Sequence, residues 1–248
     1  MSENDKAMKN SEPIEISVVV PVYNEEGNLP LLIPKLVEVL KSLGRSYEMI
    51  FVDDGSSDGS RRILREMISR YPSLRILGFK GNCGLSTALL AGMREARGNK
   101  IVTLDSDLQN DPADIPKLLE YLNHYDMATG WRQKRKDTWL KKISSKIGNA
   151  IRNWVSGENI QDSASTLRAF KKECIQDIPV FNGMHRFLST LVKMEGYRII
   201  EVPVFHHPRK FGKSKFNIRN RMARSFIDLL AVRWMKRRTL NYDIEERI

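Results

Sequence analysis

Apolar residues along this chain recur in two rhythms, and the rhythms alternate. Short runs rich in β-branched residues at 16–20, 49–52, 74–79 and 101–104 read as buried strands. Between them apolar residues fall at helical spacing, first through Leu32, Leu36, Val39, Leu40 and Leu43 to Gly44. A second helix is predicted from about Ser60 to Arg70, ahead of Pro72, and a third ends near Ala96 with Gly98 as its stop. Pro34 is expected in the first turn of the first helix or at a bend in it. Repeated strand–helix alternation implies right-handed crossovers and a mainly parallel, Rossmann-like α/β sheet with helices on both faces. Every strand's carboxyl end then falls on one edge.

Beyond Gly130 the rhythm changes. A helix is predicted over 143–155, a strand over 165–170, and a helix through Phe187, Leu188, Leu191 and Met194 that stops at Gly196. Residues 197–205 alternate like a strand, and a basic loop follows over 208–216. A last helix, about 218–236, carries Ile218, Met222, Phe226, Leu230 and Trp234 at spacing four. The division expected is a flexible leader (1–13), an α/β domain (14–216) and a basic amphipathic helix with its tail (217–248).

Chemistry gathers where the strands end. The run at 101–104 stops abruptly in Asp105, Ser106, Asp107 and Gln109. Carboxylates one residue apart just past a strand can converge on one hard cation, and oxygen ligands favour Mg²⁺ or Mn²⁺ over zinc. The first strand runs into Pro21, Tyr23 and Glu25, the second into Asp53 and Asp54, the third into Lys80-Gly-Asn-Cys-Gly84. Open α/β sheets bind ligands along this edge, so the motifs are expected to meet in one site. No Gly-x-Gly-x-x-Gly is present. Gly212-Lys-Ser214 imitates the end of a P-loop, but His207 stands where its first glycine belongs. Neither a dehydrogenase nor a P-loop NTPase is supported.

Charge sharpens this picture. The net charge of +11 is concentrated in two segments, 131–154 with eight Lys/Arg and 207–238 with eleven, which leaves the remainder acidic. Such asymmetry suits a polyanion: phosphates, nucleic acid or an anionic membrane. Cys83 and Cys174 stand far apart, without a disulfide framework, which fits a reducing compartment. The polar, acidic N-terminus does not resemble a signal peptide, and no run approaches the roughly 18 apolar residues of a spanning helix.

Five motifs, in order, carry a resemblance: Pro21-Val-Tyr-Asn-Glu25, Asp53-Asp-Gly-Ser56, Asp105-Ser-Asp-Leu-Gln109, Gly130-Trp-Arg132 and Arg209-Lys-Phe-Gly-Lys-Ser-Lys-Phe216. Over about residues 14–238 the chain resembles dolichol-phosphate mannose synthase-like enzymes, family 2 glycosyltransferases of the GT-A fold. That resemblance implies inverting transfer of a sugar from GDP-mannose or a UDP-sugar to a polyprenyl phosphate. It implies a cytoplasmic protein, peripheral on the inner membrane face. Glu25, Asp53 and Asp54 would accept hydrogen bonds from ribose and base, with Pro21 and Tyr23 as a wall and Asp105 and Ser106 also on the donor. Asp105, Asp107 and Gln109 would hold Mg²⁺ or Mn²⁺, and Arg209 and Lys215 would face the diphosphate. Arg132, Lys142 and Ser145 match positions that hold the lipid phosphate, and catalysis is expected to depend on Asp107 and Arg132.

A phosphate monoester has a second pKa of about 6, so its oxygen is already ionised near neutral pH and no protein base is demanded. Polysaccharide synthases resemble the chain upstream but carry Gln-x-x-Arg-Trp, where Leu230 here replaces the glutamine. Trp131 replaces the small residue usual before that arginine, and His206 and His207 read as hydrogen-bonding rather than metal-ligating. Two alternatives remain at this level: a family 2 transferase with a non-lipid acceptor, and a basic nucleic-acid-binding module. Aromatic and basic residues do not interleave as single-strand binders require, so no nucleic-acid partner is expected. The last helix could enter an anionic membrane or pack on the protein's own sheet. Nothing in the sequence sets the oligomeric state.

Overall fold

The computed structural model describes residues 13–132, 165–209, 211, 218–238 and 246, with side chains in the last helix described from Phe226 onward. The leader, the helix expected at 143–155, and Lys142, Ser145 and Lys215 lie outside the described residues.

β1 (Ile16–Val22) is buried at every position and lies inside the sheet, between two parallel neighbours. It pairs in parallel with β2 (Tyr47–Asp53) along its whole length, but with β4 (Lys100–Thr103) only as far as Val19. This explains how β1 runs two residues beyond its expected end, through Pro21 to Val22. Val22 offers its carbonyl to Asp54 N on the β2 side and Val19 to Leu104 N on the β4 side, so Pro21 faces β4 where the ladder has already stopped. Its missing N–H forfeits no ladder hydrogen bond there.

β3 (Leu74–Gly78) extends the sheet beyond β2, giving three parallel pairings around β1 and β2. The full order is β3-β2-β1-β4-β6-β5-β7, with β5 (Met127–Arg132), β6 (Arg168–Lys171) and β7 (Ile199–Val204). β5 and β7 are parallel, whereas β6 runs antiparallel to both β4 and β5. The sheet is therefore mainly parallel, as the alternation implies, with one reversed strand inserted. Two elements escaped the sequence reading: β5 itself, and a helix over Ile115–Tyr121 that follows a 3₁₀ turn at Pro112–Asp114.

Helices cover both faces. α1 (Leu29–Ser42), α2 (Ser60–Ile68) and α4 (Ile115–Tyr121) share one core with Val18, Val20, Phe51 and Val102. α3 (Leu85–Glu95), α5 (Leu188–Met194) and α6 (Ile218–Arg238) share the other with Val19, Ile50, Val52 and Phe170. Pro30 sits at the start of α1, but Pro34 lies in its interior rather than in the first turn. Complete burial of Leu32, Ile33, Leu36 and Leu40 offsets the hydrogen bond lost there.

α3 approaches the sheet at Gly92, where a Cβ would stand 2.4 Å from Val19 Cγ1 and 3.0 Å from Val52 Cγ2. Only glycine lets the helix settle that low, which brings its first turn against the ends of β1 and β2.

α6 divides its apolar residues between the core and the surface. Leu229 and Val232 are buried in the second core at 5% and 0% exposure. Phe226, Ile227, Leu230 and Trp234 are exposed, the last at 63%. At 3.6 residues per turn those four share an arc of about 100°. The described part of the stripe expected at spacing four, Phe226, Leu230 and Trp234, thus faces outward, while Leu229 and Val232 turn to the core.

Candidate active site

The carboxyl ends of β1, β2 and β4 and the first turn of α3 enclose a cavity of about 280 Å³. Pro21, Tyr23 and Glu25 line it from β1, Asp54 from β2, Gly84, Leu85 and Ala88 from α3, and Asp105, Ser106 and Asp107 from β4, with Arg209 across the mouth. Most of the donor-side residues expected from sequence therefore meet.

Asp53 and Asp54 diverge, because consecutive residues at a strand end point to opposite sides. Asp53 is fully buried; its carboxylate accepts from Ser56 N at 3.0 Å and pairs with the Arg61 guanidinium, which also donates to Phe79 O at 2.6 Å. Its place is beneath the loop and not in the cavity wall, a correction to the expectation that both aspartates face a nucleotide. Asp54 stays at the wall. One of its oxygens accepts from Cys83 N at 2.6 Å, the other from Gly84 N at 2.9 Å and Asn82 Nδ2 at 3.0 Å. Asp54 thereby pins the turn at 82–84, in which Gly84 adopts φ +90°. Asn82 was not singled out from sequence, although it stands in the polar turn after the third strand.

Glu25 accepts from Asn28 Nδ2 at 2.5 Å, and its other oxygen lies 3.5 Å from Arg209 Nη1. Before it, Asn24 holds φ 54° while its side-chain oxygen accepts from Ser57 N at 2.7 Å. Asparagine tolerates this left-handed conformation better than most residues.

The acidic turn after β4 is held from several sides. Ser106 Oγ donates to Pro21 O at 2.9 Å, using the carbonyl that the short β4 ladder leaves available. Asp105 accepts from Thr166 Oγ1 at 2.6 Å. Asp107 accepts from Gln109 N at 3.1 Å on one oxygen and from Arg209 Nη2 at 2.6 Å on the other. Leu108 between them has φ 60°, a sparsely populated conformation for a branched side chain and a mark of a constrained turn. Burial, followed by the negative charge of Asp107, pushes the Asp105 carboxyl up to about 6; Thr166 and the charges of Arg168 and Arg132 oppose that rise.

Gln109 is not in the cavity wall; its side-chain nitrogen lies 3.5 Å from His206 Nε2, beside the backbone bridge between Asn110 and His206. Among the described residues no group of three His, Cys, Asp or Glu side chains is assembled as a metal cluster. Arg132 ends β5, partly buried, close enough to Asp105 for its charge to act there. Thr166 gave no sequence signal: it reaches Asp105 across 61 positions, through the reversed entry of β6.

Comparison with known proteins then places the chain. The family model described as "Glycosyl transferase family 2" matches residues 17–179. This protein is a family 2 glycosyltransferase. Dodecaprenyl-phosphate galacturonate synthase of Rhizobium johnstonii is 36% identical over 91% of this chain and 68% of its own length. Undecaprenyl-phosphate 4-deoxy-4-formamido-L-arabinose transferase of Edwardsiella ictaluri is 36% identical over 82% of this chain and 63% of its own. The transferase thus spans about two thirds of the length of these curated relatives. Its fold is shared with glucosyl-3-phosphoglycerate synthase of Mycobacterium tuberculosis, solved with Mn²⁺, UDP-glucose and phosphoglyceric acid. The TM-score is 0.66 at 19% identity, over 89% of this chain and 79% of that one. The architecture is accordingly GT-A.

Proposed function

We propose that this transferase moves a sugar from a nucleoside diphosphate to a polyprenyl phosphate, with inversion, at the cytoplasmic membrane face. The observation that carries the reading is the polarity of one cavity: hydrogen-bond acceptors for a nucleoside at Glu25 and Asp54, and a carboxylate pair at Asp105 and Asp107. The names of the two polyprenyl-phosphate relatives supply the acceptor class.

The donor set suits Mg²⁺ or Mn²⁺. Two hard oxygen ligands stand one residue apart, burial and then the charge of Asp107 raise Asp105, and such cations need only one or two carboxylates when waters and substrate phosphates complete the shell. Asp105 and Asp107 would hold the ion. When bound it supplies positive charge against the departing nucleoside diphosphate. Pro21 and Tyr23 wall the base, Glu25 and Asp54 orient the nucleoside, and Arg209 adds a charge-assisted hydrogen bond to the diphosphate. Arg132, at the end of β5 beyond the donor half, holds the acceptor phosphate, assisted by Lys142 and Ser145. The ionised phosphate oxygen attacks directly, and approach opposite the leaving group inverts the anomeric centre.

Incubating the protein with UDP- and GDP-sugars, Mn²⁺, and undecaprenyl or dolichyl phosphate tests the reading. Labelled sugar is expected in the lipid phase with one donor. Transfer confined to a water-soluble acceptor overturns it.

Among the described residues no helix is long and apolar enough to cross a membrane. Reach to a lipid acceptor is assigned to α6, whose exposed Phe226, Ile227, Leu230 and Trp234 share one face beside Lys236, Arg237 and Arg238. Each cation near an anionic surface contributes about 1 kcal/mol, and the apolar side chains enter the headgroup boundary. Flotation with phosphatidylglycerol vesicles is expected and should weaken in high salt. The double variant Ile227→Asp, Trp234→Ser should stay in the dense fraction with an unchanged melt, because neither side chain belongs to the buried set. If that variant floats like the parent, α6 is not the contact.

A further inference from the structure

Arg209 is placed where a cation is wanted. Its guanidinium joins the two sides of the cavity mouth, with Nη2 2.6 Å from Asp107 Oδ2 and Nη1 3.5 Å from Glu25 Oε1. The approach is built into the backbone. His207 N donates to Gln109 O at 2.8 Å, Asn110 and His206 form an antiparallel bridge, and His207 Nε2 lies 2.9 Å from Asp111 Oδ2. The segment before Arg209 is therefore tied along the far side of the acidic turn. Its side chain, only partly exposed, returns over that turn to Asp107.

Both oxygens of Asp107 consequently have partners, Gln109 N and Arg209, while Asp105 is engaged by Thr166. A divalent ion chelated by Asp105 and Asp107 meets a guanidinium already seated on Asp107 Oδ2. Two cations on one carboxylate oxygen repel strongly in a partly desolvated site, so one must yield. A bound diphosphate changes the balance, because it offers the guanidinium a second anionic partner within the same cavity.

We infer that Arg209 is a resident counter-ion, occupying the cation's place on Asp107 until a nucleoside diphosphate arrives and takes the guanidinium over. Metal and donor then load as a coupled pair, and the metal alone binds poorly. The inference rests on the metal-dependent reading above and adds a role for Arg209 before the donor binds. By linkage, the factor by which nucleotide tightens metal binding equals the factor by which metal tightens nucleotide binding, and part of that factor comes from the handover.

Mn²⁺ binding followed by electron paramagnetic resonance, with and without UDP or GDP, tests it on the whole chain. Arg209→Gln is expected to bind Mn²⁺ without nucleotide about tenfold more tightly than the parent, the size expected on removing one charge-assisted, half-buried contact. The nucleotide-induced gain should shrink correspondingly. Arg209→Met gives the same test should the glutamine variant fold poorly. Lys35→Gln is the charge control. It removes an equal charge from a side chain lining the cavity on the other side of Arg209, and it should leave Mn²⁺ affinity within about twofold because it does not seat on Asp107. Unchanged or weaker Mn²⁺ binding in both Arg209 variants overturns the inference, as does an equal gain in Lys35→Gln. If the parent binds no Mn²⁺ even with nucleotide, the metal-dependent reading falls as well, which separates the two failures.

Discussion

Asp107→Asn is expected to lower sugar transfer by roughly two to three orders of magnitude. The carboxylate lines the cavity beside Asp105, with which it is proposed to hold the cation, and a neutral amide is a poor replacement for an anionic ligand. Stability should fall far less, by about 1 kcal/mol, because a partly exposed Arg209 retains Glu25 and access to water. The side chain belongs to neither core, and the turn keeps the bond from Ser106 to Pro21 and that from Thr166 to Asp105. Activity in Mg²⁺ or Mn²⁺, run beside a thermal melt, reads both effects. Full turnover in the variant, or in the parent with EDTA, removes the metal from the mechanism.

Arg132→Ala should have the second largest effect, lowering kcat/KM for the polyprenyl phosphate by about a hundredfold while nucleotide affinity changes only a few-fold. A guanidinium grips a phosphate at two points, which alanine cannot imitate. The site also sets a pH consequence. Arg132 is among the charges that hold Asp105 down against burial and Asp107, so its removal pushes that carboxyl above the value of about 6. Metal capture requires the ionised form and is lost as pH falls through the Asp105 pKa, so the acid limb of the variant's rate profile should move to higher pH. Calorimetric titration with nucleotide and acceptor kinetics across pH 5 to 8 separate the two roles. A large loss of nucleotide affinity with normal acceptor dependence would assign Arg132 to the donor instead.

Family membership and the edge that carries chemistry were legible because both depend on local order. Strands of β-branched residues ending in acid, each followed by a helix, bring Glu25, Asp54, Asp105 and Asp107 to one edge whatever the details of packing. Pro21 and Ser106 were similarly found by position, and the structure adds the hydrogen bond that joins them.

What pattern alone left open was decided by sidedness and long-range reach. Asp53 and Asp54 read alike as letters, yet the alternation of a strand sends one to Arg61 beneath the loop and leaves the other at the cavity wall. α6 has apolar residues around more than one face, and the second core claims Leu229 and Val232 while leaving Phe226, Ile227, Leu230 and Trp234 outward. Thr166 and Arg209 reach the acidic turn from 61 and 102 positions away, carried there by a reversed strand and by backbone pairing beside Gln109. Sequence by itself determined the α/β alternation, the family and the strand-end carboxylates, because short-range periodicity dictates them. Only the tertiary structure decided which carboxylates face the cavity and which cation already rests on Asp107, because those depend on which distant segments the sheet brings alongside.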